Sequence, residues 1–339
     1  MEAKAPEPLF VLRGHSNPVQ CVKFFAVPPA NAGFLTSGSS DGTVRIWNLQ
    51  SRRSVSTVQA HNSQGVLSVH VSNTLLFTQG KDGFVKCWDL QHSLKEPSYV
   101  LDTNSYGFCR AYVFREEDSL LIATGSEDSS TVQIWDSRER KPVYTIALDQ
   151  GGTKTYGMCM CTGLLRPQPP SQGVSTSEVV AMCASESGHL SCWSMRGGKR
   201  MMASQFNKEP LLSFDMGVDG LSGVAGGAGK QLFTYTSLFC QLNISHEQAT
   251  LDGAGLSEVR VRHDQKLVAT AGWDKRVRLF SFQSLKPLAV LRFHTETVHA
   301  IDFASSPPSP ASKSKDLSTG LLATGSKDTR IAIYSIYPS

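Results

Sequence analysis

Short runs in which apolar and polar residues alternate recur along the whole chain. The first group is clear: residues 19–24 alternate with period two, residues 34–37 follow, a Ser-Asp-Gly turn leads into residues 43–49, and residues 54–59 close the unit. Runs of this kind, bounded by Gly, Asn, Asp and Ser, predict four antiparallel strands. The first strands of the later units are expected at residues 66–71, 108–114, 157–161, 211–216, 258–262 and 298–303. No segment has the pattern of a long amphipathic helix.

The units share a punctuation. A Gly- or Ser-rich turn is followed by an aromatic that ends a strand, as in Ser37-Gly38-Ser39-Ser40-Asp41 before Trp47 and Thr270-Ala271-Gly272-Trp273-Asp274 before Phe280. The aromatics are Trp47, Trp88, Trp135, Trp193, Tyr235, Phe280 and Tyr334, lying 41 to 58 residues apart. A period in that range marks a repeat array in which each unit buries its apolar face against its neighbours. The prediction is an all-β chain folded as a single seven-bladed β-propeller over residues 1–339. The ends support closure, because Pro8-Leu9-Phe10-Val11-Leu12-Arg13-Gly14-His15 matches Pro287-Leu288-Ala289-Val290-Leu291-Arg292-Phe293-His294 at six of eight positions. The chain stops after the third strand of unit seven, so a strand at about residues 8–13 is expected to supply the missing fourth. Residues 26–33, 163–177 and 305–319 interrupt the period and, being rich in Pro or Ser, read as surface loop insertions.

These residues resemble the WD-repeat β-propellers. The resemblance implies a hydrogen-bond network in each blade: a His in the loop before it, a Ser or Thr on its second strand, an Asp in the next turn and a Trp on the third strand. Carried onto this chain, unit one has His15, Ser37, Asp41 and Trp47, and unit two has His61, Thr78, Asp82 and Trp88. Unit three has Thr124, Asp128 and Trp135 with one inserted residue, and unit six has Thr270 and Asp274. Unit seven has His294, Thr324 and Asp328, with Tyr334 in the Trp place. Units four and five carry Cys183 and Ser187, then Ala225 and Gly229, and are expected to be held more by packing.

More narrowly the chain is similar to the group of guanine nucleotide-binding protein β-subunit-like protein 1, the ASTRA-associated propellers. Residues 269–294 and 322–338 carry this most strongly, with Tyr106-Gly107-Phe108-Cys109-Arg110 a further segment. The resemblance implies a non-enzymatic adaptor, cytoplasmic and nuclear. It would work with the Tel/Tti co-chaperone assembly in maturing kinases related to phosphatidylinositol 3-kinase. The first strand begins near Leu9, which leaves no room for the helix that coils with a G-protein γ subunit, so no γ partner is expected.

Composition narrows the classes. The net charge of +4, from 33 basic and 29 acidic residues, is mild and shows no basic stripe of the kind that nucleic-acid binding requires. No apolar stretch approaches the roughly 18 residues that span a bilayer, and the first residues are too polar for a signal peptide. A reduced, intracellular setting is therefore expected for the eight Cys, most of which sit in strand-like runs as small hydrophobes.

Candidate chemistry is thin. Gly223-Val224-Ala225-Gly226-Gly227-Ala228-Gly229-Lys230-Gln231 resembles a phosphate-binding loop, but Val224 stands at its first Gly and Gln231 at its hydroxyl, and strand residues follow. Cys159, Cys161, Cys183 and Cys192 lack the paired spacing of zinc sites. No His-Glu-x-x-His motif occurs, and no nucleophile elbow is expected. The expectation is no enzyme, no catalytic residue, no metal and no cofactor.

What remains is surface. The position before each turn Asp faces outward on one side of the ring, and Trp273 is the aromatic among Ser40, Lys81, Glu127, Glu186, Ala228, Trp273 and Lys327. Aromatics and Arg are enriched among interface hot spots, and Lys275, Arg276 and Arg278 flank Trp273. A protein-docking face through Trp273, Lys275, Arg276, Arg278, Lys81 and Lys327 is one expectation. The other is a reader of phosphorylated or acidic peptides that uses Arg45, Lys81, Lys86, Arg276, Arg278, Lys327 and Arg330 as an anion cradle.

Overall fold

A computed structural model of the chain describes residues 6–26, 33–116, 119–149, 155–166, 178–195, 197–218, 220, 222–238, 241–304 and 320–336. Every regular element in it is a β-strand, and no helix among the described residues is long and apolar enough to cross a membrane. Seven four-stranded antiparallel sheets form. In blade one the strands are Val19–Ala26, Gly33–Ser39, Thr43–Asn48 and Arg53–Gln59, in spatial order as in sequence. The innermost strands of blades two to seven are Val66–Ser72, Tyr112–Arg115, Cys159–Leu165, Leu211–Met216, Leu256–Val261 and Val298–Phe303. Each packs against the next around the ring, and the last packs against the first.

Closure uses the N-terminal strand. Phe10–Leu12 pairs antiparallel with Ile331–Ser335, in register Phe10 with Ile333 and Leu12 with Ile331, and Leu9 N–H adds a bond to the Ile333 carbonyl at 2.7 Å. The sheet of blade seven thus has its fourth strand from the opposite end of the chain, and no raw edge is left there. The core is distributed: seven apolar clusters, one in each seam between neighbouring blades, each built from side chains of both. Around Trp47, for example, Leu12, Val19, Val22, Leu35, Ile331 and Ile333 join blades seven and one.

Two inner strands differ from expectation. That of blade three is Tyr112–Arg115, not 108–114, because residues 106–110 are spent on the loop that enters it. That of blade four runs Cys159–Leu165, so Gly163 to Leu165 belong to a strand and not to an insertion. The expected loops at 26–33 and 163–177 otherwise fall largely, and that at 305–319 wholly, outside the described residues.

The channel side of the ring has its own chemistry. An innermost strand has no fifth strand to satisfy its outward N–H groups, so other acceptors must take them. Side chains of the neighbouring blade do so. Asp302 accepts from Phe24 N–H at 2.8 Å and from Lys23 Nζ at 2.7 Å, and Glu258 accepts from Ile301 N–H at 2.7 Å. Asp215 accepts from Val261 N–H at 2.7 Å, and Gln79 from Ala111 N–H at 2.6 Å. These bonds link adjacent blades where no ladder does.

Candidate protein-interaction face

The blade networks set the geometry of one face, since their loops and turns meet there. In blade two the chain of bonds is complete. His61 Nδ1 lies 2.9 Å from Asp82 Oδ1, His61 Nε2 lies 2.9 Å from Thr78 Oγ1, and Trp88 Nε1 donates to the same hydroxyl at 3.0 Å. Gly80 leaves room for it, because a Cβ there would stand 2.3 Å from His61 Nδ1. Blade seven repeats the pattern with His294, Asp328 and Thr324, at 2.9 and 2.7 Å. Burial raises and the His bonds more than offset, so the carboxyls of Asp82 and Asp328 are held below their ordinary range.

Blade one is a partial case. His15 Nε2 and Trp47 Nε1 both reach Ser37 Oγ, at 2.7 and 2.8 Å, but Asp41 is taken by Asn17 at 3.0 Å and by Thr43 at 2.6 Å. His15 Nδ1 has no partner among the described residues. Burial, with Arg45 next, pushes the His15 imidazole down to about 4 against the opposing pull of Asp41.

Three blades depart further. In blade three Thr124 Oγ1 turns to the Gly125 carbonyl, Asp128 binds Ser130 and Thr131, and Trp135 Nε1 is buried without a partner among the described residues. The four-group bridge is therefore not assembled there, since no His stands in the loop before the blade and the inserted residue lengthens its turn. In blade six Thr270 Oγ1 is likewise unpartnered, and Asp274 instead takes the Arg278 guanidinium through both oxygens, at 3.1 and 2.6 Å. In blade four Trp193 Nε1 finds Ser191 Oγ at 2.8 Å, on its own strand, a substitute the sequence pattern did not reveal.

The turn positions do share one face. The N–H groups of Ser40, Lys81, Glu186, Ala228, Trp273 and Lys327 each donate, at 2.9 to 3.0 Å, to a carbonyl just before the inner strand of their own blade. Trp273 is 45% exposed. Its ring lies flat over Gly255, whose φ is +90°, and a Cβ there would stand 2.1 Å from the indole. Its carbonyl accepts from Thr297 Oγ1 at 3.2 Å, and the Thr297 carbonyl accepts from Lys327 N–H, which ties blade six to blade seven.

Around that indole the cations divide. Lys275 and Lys327 are exposed, as is Lys81 on blade two, whereas Arg278 is buried against Asp274 and does not join the surface. Arg276 is half-buried between Asp252 and Asp274. The anion cradle is reduced in the same way, since Lys86 Nζ donates to the Ala60 carbonyl at 2.6 Å and lies 3.7 Å from Asp82. Arg45 covers the Trp47 ring at 5.9 Å and Arg330 is half-buried in its turn.

Sequence reasoning missed two features. Tyr106 and Phe108 are 60% and 61% exposed in the loop entering blade three, beside Lys81. The channel acids Asp215, Glu258 and Asp302 were not singled out either. One string was also passed over: Gly38-Ser39-Ser40-Asp41-Gly42 has the Gly-x-Ser-x-Gly spacing. It forms a strand end and the turn into the next strand, with no helix following, and His15 bonds Ser37 and not Ser40. The glycine-rich residues 223–231 likewise form two antiparallel strands and a turn, where a phosphate loop needs strand then helix. No group of three His, Cys, Asp or Glu among the described residues is placed to hold a metal. Burial pushes the thiol of Cys21 up to about 12 and that of Cys161 to about 11, so neither is a ready nucleophile.

Comparison with known proteins shows the family. The WD domain, G-beta repeat, matches residues 6–48, 52–89 and 245–281. Guanine nucleotide-binding protein subunit beta-like protein 1 of Mus musculus is 34% identical over 344 residues, covering 98% of this chain and 97% of the mouse protein. The chain belongs to that family of WD-repeat propellers. ASTRA-associated protein 1 of Schizosaccharomyces japonicus is also similar, 25% identical over 98% of this chain and 99% of the relative. The Schizosaccharomyces pombe protein of the same name is 23% identical with the same coverage.

Proposed function

We propose that the chain is a non-enzymatic adaptor that docks other proteins on the face carrying Trp273. The observation behind this is the indole itself, nearly half in water yet fixed on Gly255 and flanked by the exposed Lys275 and Lys327. An immobilised aromatic loses little entropy when a partner covers it, which is why such residues serve as anchors. Relatives whose name associates them with ASTRA span the whole chain, which supports a place in a multiprotein assembly. The finer reading is that the partner is the Tel/Tti co-chaperone assembly, that the clients are kinases related to phosphatidylinositol 3-kinase, and that the setting is cytoplasm and nucleus.

The test is reconstitution with purified Tel/Tti assembly, followed by size exclusion at 0.1 and 0.5 M salt. A scaffold contact centred on an aromatic survives the higher salt, since added salt shortens the Debye length from about 10 Å at 0.1 M and weakens attraction between exposed charges, not apolar burial. Failure to co-elute at either salt refutes the named partner. Co-elution only at low salt, or only after phosphorylation of the partner, favours the anion-reader instead.

A further inference from the structure

The loop 106–108 carries the other large exposed apolar surface on the same face. Tyr106 and Phe108 are 60% and 61% exposed, more than Trp273 at 45%. Exposure alone is ordinary; the way these two are held is not. Ser105 before them and Cys109 after them are buried, so the loop is pinned at both ends. Arg110, the next residue, reaches across the channel to Glu258 at 3.0 Å and to the His299 carbonyl at 3.2 Å. The Tyr106 ring rests on Gly83, where a Cβ would stand 2.9 Å from it, and its hydroxyl donates to Asn104 at 3.2 Å. Two aromatics are thereby fixed in water with their rings available.

Charge says what fits them. Lys81 Nζ lies 5.5 Å above the Phe108 ring, and no carboxylate pairs with it among the described residues, whereas Lys86 on the same blade is paired with Asp82. A partner carboxylate that neutralised Lys81 would bring its neighbouring side chains onto Phe108 and Tyr106. The match is a segment in which acidic residues alternate with large apolar ones. A purely apolar segment would leave the ammonium covered and unpaired, which is costly.

We propose that Tyr106, Phe108 and Lys81 form a second docking site, which takes an acidic, apolar segment of a protein partner at the junction of blades two and three. The proposal rests on the reading of the chain as a scaffold, but it concerns a different surface from that of Trp273. In a seven-membered ring the two lie about half a turn apart, so a single large partner could engage both while a short segment engages one.

Gly107 provides a clean test. A Cβ there meets nothing within 4 Å, so a bulky substitution projects into open space between the aromatics and leaves the fold alone. The probe is a set of dodecapeptides selected by phage display against the full chain, then synthesised and titrated by fluorescence anisotropy. Asp or Glu beside Leu, Phe or Trp is the expected enrichment. Affinity is expected to fall about thirtyfold in Tyr106→Ala/Phe108→Ala, the loss typical of hot-spot aromatics. It should fall comparably in Gly107→Glu and Lys81→Glu, with melting temperatures unchanged, and should persist in Trp273→Ala. Selection of no acidic, apolar peptide, or selected peptides that bind these variants normally, overturns the proposal. So does binding of the chain to anionic lipid vesicles that the same variants abolish, which would make the site a lipid contact. If the selected peptides lose binding to Trp273→Ala and keep it with the loop variants, the scaffold reading stands and this one falls.

Discussion

Arg110 and Glu258 join blades three apart in the ring, with Arg110 Nη1 3.0 Å from Glu258 Oε1. The same carboxylate takes Arg260 at 2.5 Å and the Ile301 N–H at 2.7 Å, so one buried side chain holds two guanidiniums and a strand edge. Glu258→Ala would remove the carboxylate from both guanidiniums and the acceptor from the Ile301 N–H. Breaking a buried charge pair by removing one partner costs about 3–5 kcal/mol. That loss is expected in urea denaturation of the variant. Arg110→Ala, which leaves Arg260 on Glu258, is expected to cost less than half as much. Equal effects of the two changes would mean that the strut, and not the carboxylate, organises the channel.

The blade networks give an internal comparison at one position type. Thr78 Oγ1 serves both His61 and Trp88, so Thr78→Ala orphans two buried groups and is expected to cost about 2–3 kcal/mol. Thr270 Oγ1 is buried without a partner among the described residues, so Thr270→Ala removes an unsatisfied hydroxyl and is expected to be within about 1 kcal/mol of neutral. Urea midpoints of the two variants decide. If Thr270→Ala is as damaging as Thr78→Ala, a water or another group completes blade six.

Much of this was legible in the sequence for a physical reason. The repeat is enforced by seam packing, which demands four short strands and a buried aromatic in each blade, so the period survives even where the polar network does not. Closure was legible because residues 8–15 do the work of residues 287–294 in a neighbouring blade and so look like them. The network in blades three and six was not, since Thr124 and Thr270 look competent in the sequence, yet without a His before the blade Thr124 turns to the Gly125 carbonyl and Thr270 Oγ1 is left without a partner among the described residues. Arg278 misled for a related reason: a cation near an exposed Trp looks free until its Asp274 partner is seen four residues back. Phe108 read as the start of an inner strand because residues 108–114 alternate, and only the pairing of Tyr112 with Ala123 shows that the strand begins later.

Acid should weaken the ring as its buried His rings are forced to take up protons. Burial, with nearby Arg45, holds His15 at about 4, and burial, with Arg110 and Lys327, holds His299 at about 4. An unfolded His takes its proton near 6.5, so between there and about 4 the unfolded chain binds protons that the folded chain refuses. Stability is therefore complete above about pH 6.5 and is lost as the pH falls toward 4, by about 3 kcal/mol for His15 alone. Melting temperature is expected to drop across that window, and His299→Asn to make the drop shallower. A flat profile from pH 6.5 to 4.5 would show that these rings are not held neutral. Burial raises Asp41, but its bonds to Thr43, Asn17 and Ser39 together hold it at about 2, so its contribution is lost only below about pH 4.

Trp273, 45% exposed, is proposed as a partner anchor and not as part of the core. Calorimetric titration of Trp273→Ala with purified Tel/Tti assembly, beside the melting curve of the same variant, tests it most directly, and Trp47→Ala is the matched control. Trp47 is fully buried and donates to Ser37, so its removal is expected to cost about 3–5 kcal/mol of stability. Trp273→Ala is expected to melt as the parent chain does and to bind about thirtyfold more weakly. Normal binding by a Trp273→Ala protein that is fully folded would contradict the account.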